Sequence, residues 1–495
     1  MTLIELKSLN KTKTSDSSAG AGENAAISSG SKPSSYLLAV ACTCALTAFH
    51  FGYAITSINV PSSVFIGCTV EDSSKTFFGL QGCFLVSKAA WGLVGLGLPL
   101  GGWVGGSLGP SLVSWLGGLK PAILFLNFPL LFAYLSMAFA VNLPMLVLGR
   151  ILIGFASGAS GMLVPLYLSS ISPLSFRGLF TNFFQLFLCS ASFIAEIVSF
   201  SLNIGTRLWL WRFSFGAGVL VIALQTALNK FFGIFPESPI DLDSKDPIEA
   251  GMLRYRLGIL DDSSQKQQES CDLREVSESC DDIPAVPELP NPVSESLLDL
   301  ITFRIPSARK SLLLGICLHA GQQISGVTAI FFYSSQIIVD SRATPVLLTL
   351  INLIMTVVAI WLLDRAGRRP VALFSVAGSS VCLIVLSMSF SLFPEISSLF
   401  LVSFVACFAV GLGPIPWMLV PEIFPSTWPL TPTAISICTS ANWITNIIVS
   451  GGFPSLSVLV PKPWIFLAFG VSCSVLFICL SQFLPETKNR IANFI

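Results

Sequence analysis

The chain has 495 residues, of which 53% are hydrophobic and only 11% charged, and its mean hydropathy is +0.78. A soluble globular chain carries about 25% charged residues, so a string of soluble domains is excluded. Basic and acidic residues balance at 27 each, which removes the electrostatic case for a nucleic-acid partner.

Residues 1–35 are polar and rich in Ser, Gly and Ala, which predicts a disordered tail. Runs without Asp, Glu, Lys or Arg follow at 33–70, 89–119, 121–149, 151–176, 371–394, 396–421 and 423–461. Each exceeds the ~18–20 apolar residues that a membrane-spanning helix needs. Only helices satisfy their own backbone there without closing a barrel. The pattern predicts an all-α integral membrane protein with twelve transmembrane helices. Six lie near 36–60, 85–109, 121–142, 146–170, 179–203 and 213–236; six more lie near 311–338, 344–363, 371–392, 396–420, 432–453 and 463–485. The domain reading is therefore a first six-helix bundle over 36–236, a polar linker over 237–310, a second bundle over 311–485 and a tail over 486–495. The linker opens on a stretch able to form short amphipathic helices, and its acidic run Asp261–Asp282 predicts flexible chain.

The basic residues orient the chain. With both termini in the cytoplasm, Lys7, Lys11, Lys13, Lys32, Lys120, Arg177, Arg365, Arg368, Arg369, Lys488 and Arg490 fall inside, with most of the linker. Lys75, Lys88, Arg150, Arg207, Arg212, Arg342 and Lys462 fall at the outer ends. The sequon Asn10-Lys11-Thr12 would then stay cytosolic and unglycosylated. Among the 13 cysteines no metal-binding spacing occurs, so most read as small apolar packers. Cys68 and Cys83 flank one short loop and could bridge if that loop is extracellular; sequence does not fix the connectivity.

The halves echo one another. Pro236-Glu237-Ser238 closes the sixth span and Pro485-Glu486-Thr487 the twelfth, and Val164-Pro165 in the fourth span answers Val420-Pro421 in the tenth. Such a duplication predicts a substrate site between the halves at mid-membrane.

Polar groups inside spans are costly unless they pair or face a water-filled path. On the seventh span His319, Gln322 and Gln323 share one face, with Gly326 beyond them to permit unwinding. Adjacent glutamines present amide donors and acceptors together, which suits a neutral polyhydroxylated ligand. A single amide more often glues helices together; a doublet on a Gly-rich helix points to a site. Gln185, Asn352, Trp417, Asn442 and Asn446 add neutral amides and an aromatic ring, the chemistry of a carbohydrate site rather than an ion path. No nucleotide loop, HExxH or Ser/His/Asp order is present, which argues against an enzyme and implies no cofactor or metal.

Seven motifs occur in order: Leu148-Gly149-Arg150, Phe176-Arg177-Gly178, Pro236-Glu237-Ser238-Pro239, Gln322-Gln323-Ile-Ser-Gly326, Asp364-Arg365-Ala-Gly367-Arg368-Arg369, Gly413-Pro414-Ile-Pro416-Trp417 and Pro485-Glu486-Thr487-Lys488. By this set the chain resembles the sugar-porter family of the major facilitator superfamily, and most of all the animal facilitative glucose transporters, over residues 36–490. The resemblance implies sugar contacts from Gln185, Gln322, Gln323, Asn352, Trp417 and Asn442, in a cavity lined also by Phe51, Phe331, Phe408 and Asn446. It implies a charge network, mostly a cytoplasmic gate, from Arg150, Arg177, Arg212, Glu237, Asp364, Arg365, Arg368, Arg369, Glu422, Glu486 and Arg490.

Departures from the family pattern thin that network. The Gly-Arg-Arg expected after the second span reads Gly117-Gly118-Leu119-Lys120, a glutamate before Arg177 is Ser170, one after Phe408 is Ala409, and an arginine before Pro432 is Thr431. Thr328 stands where an asparagine is expected in the sugar site, Ala54-Ile55 replaces a polar pair, and His319-Ala320-Gly321 replaces the Gln-Leu-Ser of glucose-preferring members. His50 and Glu196 are intramembrane ionisable groups and so candidate proton relays. A neutral, hydrogen-bonded packing role suits both better, because the aspartate of proton-coupled members is Ala54. The expected function is hexose uniport, most of all of glucose, by alternating access in the plasma membrane. The rivals are a proton–sugar symporter, a carrier of fructose or a polyol, and a sugar-sensing receptor that does not transport.

Overall fold

The computed structural model describes residues 33–74, 76–77, 79–173, 175–201, 209–243, 245–259, 300, 304–337, 344–392, 394–424 and 428–488. The tail, the sequon, the run Asp261–Asp282, Lys75, Arg207, Arg342 and Arg490 lie outside the described residues. Among those described, the chain is helical apart from one two-residue hairpin, β1 (Thr76–Phe77) against β2 (Leu80–Gln81), paired antiparallel.

Ten described helical segments are long and apolar enough to cross a bilayer: α1 Ser35–Thr56, α3 Leu119–Ala138, α4 Leu143–Ile171, α5 Arg177–Ser201, α6 Trp211–Phe231, α7 Ala308–Phe332, α8 Thr344–Ala366, α9 Arg368–Phe390, α10 Ser397–Glu422 and α12 Lys462–Phe483. Two more, α2 Lys88–Leu116 and α11 Thr431–Leu459, match them in length at 29 residues each, with apolarity diluted by Gly, Ser and Pro. Side-chain caps set several starts: Ser34 accepts from the Leu37 amide, Ser87 from Ala90 and Asn142 from Met145. The seventh helix begins at Pro306, several residues before the charge-based boundary, because proline suits the first helical turn and Arg309 and Lys310 ride on it. Two short helices, Pro239–Asp243 and Pro247–Leu257, occupy the start of the linker, the second capped by Asp246 and Gly258.

The packing repeats with the sequence. In the first half α1 lies on α5, α2 on α4, and α3 on α4 and α6; in the second half α7 lies on α11, α8 on α10, and α9 on α10 and α12. The halves meet where α2 crosses α11, α5 crosses α8 and α1 touches α7.

Helix α2 makes two of these contacts on bare backbone. A Cβ added at Gly101 or Gly105 would sit 2.0 or 1.8 Å from a carbonyl oxygen of α4, and one at Gly102 would sit 2.4 Å from the Trp443 ring of α11. Small residues at such spacing let membrane helices approach closely.

One end of the bundle carries a disulfide, Cys68–Cys83, which closes the loop after α1. The Trp211 indole donates to the Gly82 carbonyl (2.7 Å), and Phe65 packs on Phe84, Trp91 and Trp211. The opposite end carries the charged turns. These are called below the disulfide side and the charged side.

Candidate functional site: a cavity between the halves

Two helices break beside each other at mid-height. In α7 the helix stops at Ser325-Gly326, where Gly326 has φ +81° and sits against the Phe469 ring; any Cβ there would fall 2.4 Å from it. Ser325 Oγ closes the break on the Gln322 carbonyl (2.6 Å). In α10 the helix stops at Gly411, and Leu412, Gly413 and Pro414 follow as turn. The Leu412 amide is taken by Ser375 Oγ (2.8 Å), while the Leu412 and Gly413 carbonyls both accept from Gln322 Nε2 (2.9 and 2.8 Å). Unwound backbone at membrane depth persists only where such partners exist.

Between the halves lies a cavity of about 480 Å³, counting the solvent at its open mouth. The first half lines it with Phe51 and Ile55 of α1 and Gln185 and Leu188 of α5. The second half contributes Gln322, Gln323, Val327, Thr328 and Phe331 of α7, Asn352 of α8, Phe408 and Trp417 of α10, and Asn446 of α11. Among the described residues, no Asp, Glu, Lys or Arg lines it.

Ten of the eleven residues expected around the ligand line this one cavity. The exception is Asn442, which stands a layer behind. Its Oδ1 accepts from Gln323 Nε2 (3.0 Å), and its Nδ2 donates to Gln322 Oε1 (2.8 Å) and the His319 carbonyl (3.1 Å). With donors and acceptor engaged it orients both glutamines rather than facing the space. Thr328 donates to Gln323 Oε1. Trp417 fits over Gly161, edge-on to His319 (4.8 Å between centroids) and near Phe184 (5.0 Å). Against these satisfied groups, Asn352 keeps its buried Oδ1 without a partner. Sequence reasoning marked Ile55 only as the replacement for a polar residue and passed over Leu188 and Val327. Helical spacing carried the signal for these two, since they follow Gln185 and Gln323 by three and four residues.

The intramembrane ionisable groups are off the cavity wall. His50 Nδ1 pairs with Tyr134 Oη (2.8 Å). Glu196 Oε1 accepts from Asn59 Nδ2 (2.6 Å), which also donates to the Phe331 carbonyl (3.1 Å) across the halves.

The charge network divides. Arg150 and Arg212 lie on the disulfide side, because α4 and α6 begin there, and neither bonds a carboxylate. Arg150 donates to the Val94 (3.2 Å) and Ala54 (2.5 Å) carbonyls; Arg212 donates to those of Ala138, Ala140 and Gln81. On the charged side Arg368 pairs with Glu422 (3.0 Å), which also accepts from Thr487 (2.6 Å). That ion pair joins α9 to α10 inside the second half, so it does not itself bridge the halves as a gate would. The crossing there is steric, with the Arg368 guanidinium against the backbone of Gly178 at the start of α5. Arg177, beside that contact, feels the Glu422 charge. Arg365 stacks over Trp361 (4.4 Å), and Arg369 donates to the Ser481 carbonyl (2.8 Å). Asp364 is exposed at the end of α8, within the field of Arg368 and Lys488. Ser170 bonds Ser238 (3.0 Å) in place of an ion pair. Among the described residues no cluster of three His, Cys, Asp or Glu side chains suits a metal.

The profile of the "Sugar (and other) transporter" family matches residues 40–493. Facilitated glucose transporter member 1 (solute carrier family 2) of Gallus gallus is 31% identical over 484 residues, 93% of either chain. Member 3 of Oryctolagus cuniculus is 29% identical over 478 residues, 93% of this chain and 91% of that one. Among solved structures, the proton:xylose symporter XylE bound to 6-bromo-6-deoxy-D-glucose superposes with a TM-score of 0.75 at 20% identity, over 93% of this chain and 98% of that one. FucP in its outward conformation gives 0.58 at 15% identity, over 92% and 100%. The last two are likenesses of fold alone.

Proposed function

Since this chain belongs to the sugar (and other) transporter family, a family of membrane carriers rather than enzymes, we propose that it is a uniporter that moves a hexose, glucose first, by alternating access. One observation carries the reading: neutral amides and aromatic rings from both halves line one shared space between them. Amide walls hydrogen-bond hydroxyls, rings cover sugar C–H faces, and a wall without charge gives an ion nothing to exchange for its hydration. The free Asn352 Oδ1 calls for a ligand that donates a hydrogen bond. Its relatives carry the name of facilitated glucose transporters, which favours a hexose over a polyol. Uniport is favoured because His50 and Glu196 are engaged with Tyr134 and Asn59 away from the wall, and Ala54 offers no carboxyl. Disulfides belong to oxidising compartments, so the Cys68–Cys83 side is read as extracellular, which puts both termini in the cytoplasm of a plasma-membrane protein.

Sugar entering from the disulfide side would exchange water for these amides and draw the broken segments of α7 and α10 onto itself. The test is uptake of labelled D-glucose into proteoliposomes, with L-glucose, fructose and galactose as competitors. Saturable uptake blocked by D-sugars, insensitive to L-glucose and to an imposed pH gradient, is expected. Asn352→Ala and Gln322→Ala should each lower it by about ten-fold or more at unchanged protein yield, the scale of a buried polar group left unpaired. Full uptake in both variants would sink the site; accumulation driven by a pH gradient would sink uniport.

A further inference from the structure

The wall amides that face one another across the halves are not bonded to each other. They meet on a sulfur. Cys189, one turn beyond Gln185 on α5, is fully buried and accepts from Gln185 Nε2 and from Asn352 Nδ2, each at 3.3 Å; Thr356 Oγ1 also stands 3.3 Å away but gives its one proton to the Asn352 carbonyl (2.8 Å). Asn352 stands on α8, in the other half. Asn352 is thus held by its nitrogen while its oxygen has no partner and its side chain lines the cavity. We propose that Cys189 is the positioning residue of the empty carrier: its thiol parks the Gln185 and Asn352 amides across the gap between halves until sugar hydroxyls take them over.

The inference rests on the sugar-carrier reading and adds a role to the step in which no sugar is bound. A uniporter that has released its cargo must return through a closed state, and there the amides lose water as well as sugar. Left unpaired they would oppose closure. A carboxylate in the place of Cys189 would hold them too firmly to release. A thiol sulfur is a weak acceptor, enough to satisfy the amides in the closed cavity and easily displaced by a hydroxyl. Because the loaded carrier has its amides on sugar, the thiol matters for the empty return and little for the loaded crossing.

The experiment compares net uptake of labelled D-glucose into sugar-free vesicles with exchange into vesicles preloaded with unlabelled D-glucose, using the full-length reconstituted protein. Cys189→Ala should cut net uptake by about five-fold, the effect of one ordinary hydrogen bond on an equilibrium, while exchange stays within about two-fold. Cys189→Ser, which keeps an acceptor, should give a net-to-exchange ratio nearer the unaltered protein's. Should the alanine variant fold poorly, Cys189→Val fills the volume and carries the same expectation. An equal fall in both fluxes, no fall in either, or a serine variant indistinguishable from alanine would overturn the inference. If the unaltered protein neither takes up nor exchanges glucose, the carrier reading itself fails and this inference goes with it.

Discussion

The turn between α2 and α3 and the turn between α8 and α9 occupy the same place in the two halves, and they are held by different means. Gly118 and Gly367 stand 249 residues apart, as do Glu237 and Glu486. In the second half Glu486 accepts from the amides of Arg368 (3.0 Å), Arg369 (3.1 Å) and Lys488 (2.9 Å), gripping the turn by its backbone. Arg368 then reaches inward to Glu422. In the first half Glu237 has a buried Oε2 without a partner. The Leu119 amide goes instead to Asp241 (2.8 Å), and Lys245 holds the Gly117 carbonyl (2.8 Å). A carboxylate four residues further on has taken over the grip, and the inner layer of arginine pairing is absent from this turn. Both halves hold this turn by a backbone-to-carboxylate clamp, and the second half adds the Arg368–Glu422 ion pair above it.

The largest test of that contrast is removal of the clamp acids' neighbours. Glu422→Ala leaves the guanidinium of Arg368, 5% exposed, without its counter-charge, which costs about 3–5 kcal/mol. It should appear as a sharp fall in thermal stability in detergent. Glu237→Ala should stay within about 1 kcal/mol, since it removes an acid whose inner oxygen is unpaired. Equal losses would erase the asymmetry. The two glycines come next. Gly367 has φ +93°, and a Cβ would lie 2.5 Å from Glu486 Oε2; at Gly118, with φ +156°, the nearest atom is Asp241 Oδ2 at 3.1 Å. Gly367→Ala should therefore cost about 2–3 kcal/mol and Gly118→Ala about 1 kcal/mol, by thermal melts.

The smallest effects are in pH dependence, and they should have opposite signs. Burial raises the Glu486 carboxyl, but the three amides and Arg368 outweigh it and hold it below its usual range. Its contribution is present at neutral pH and is lost as pH falls through that depressed value. Burial raises Asp241 above its usual range despite the Leu119 amide and Lys245. Its contribution is present in acid and is lost as pH rises through the raised value. Glu486→Gln should flatten the acid limb of a stability–pH curve, and Asp241→Asn should make it steeper. Curves that shift together would show that the two clamps are electrostatically alike.

Much of this architecture could be read from residues alone. Charge-free runs mark spanning helices because lipid penalises charge, and amides within them mark the cavity because lipid penalises amides too. Polarity could not separate Asn442 from its neighbours: an amide that props another amide has the same composition signature as one that meets the ligand. Nor could it separate Arg150 and Arg212 from the charged turns, since a guanidinium bonded to carbonyls and one bonded to a carboxylate look alike in sequence. Cys189 escaped notice for the opposite reason. In a chain with 13 cysteines a buried thiol reads as a small apolar filler, and only three-dimensional convergence shows two amides from opposite halves aimed at it. The cysteine pair at 68 and 83 needed the folded loop to bring the sulfurs together.

Arg150 has a consequence for what the protein must refuse. Its guanidinium is fully buried, leans on the carbonyls of Ala54 and Val94 beside the α1 wall, and leaves Nη2 unbonded. An arginine stays protonated, so a fixed positive charge stands close to the route. In the carrier proposed above, sodium and hydronium would meet an electrostatic barrier beside this charge that an uncharged sugar does not feel.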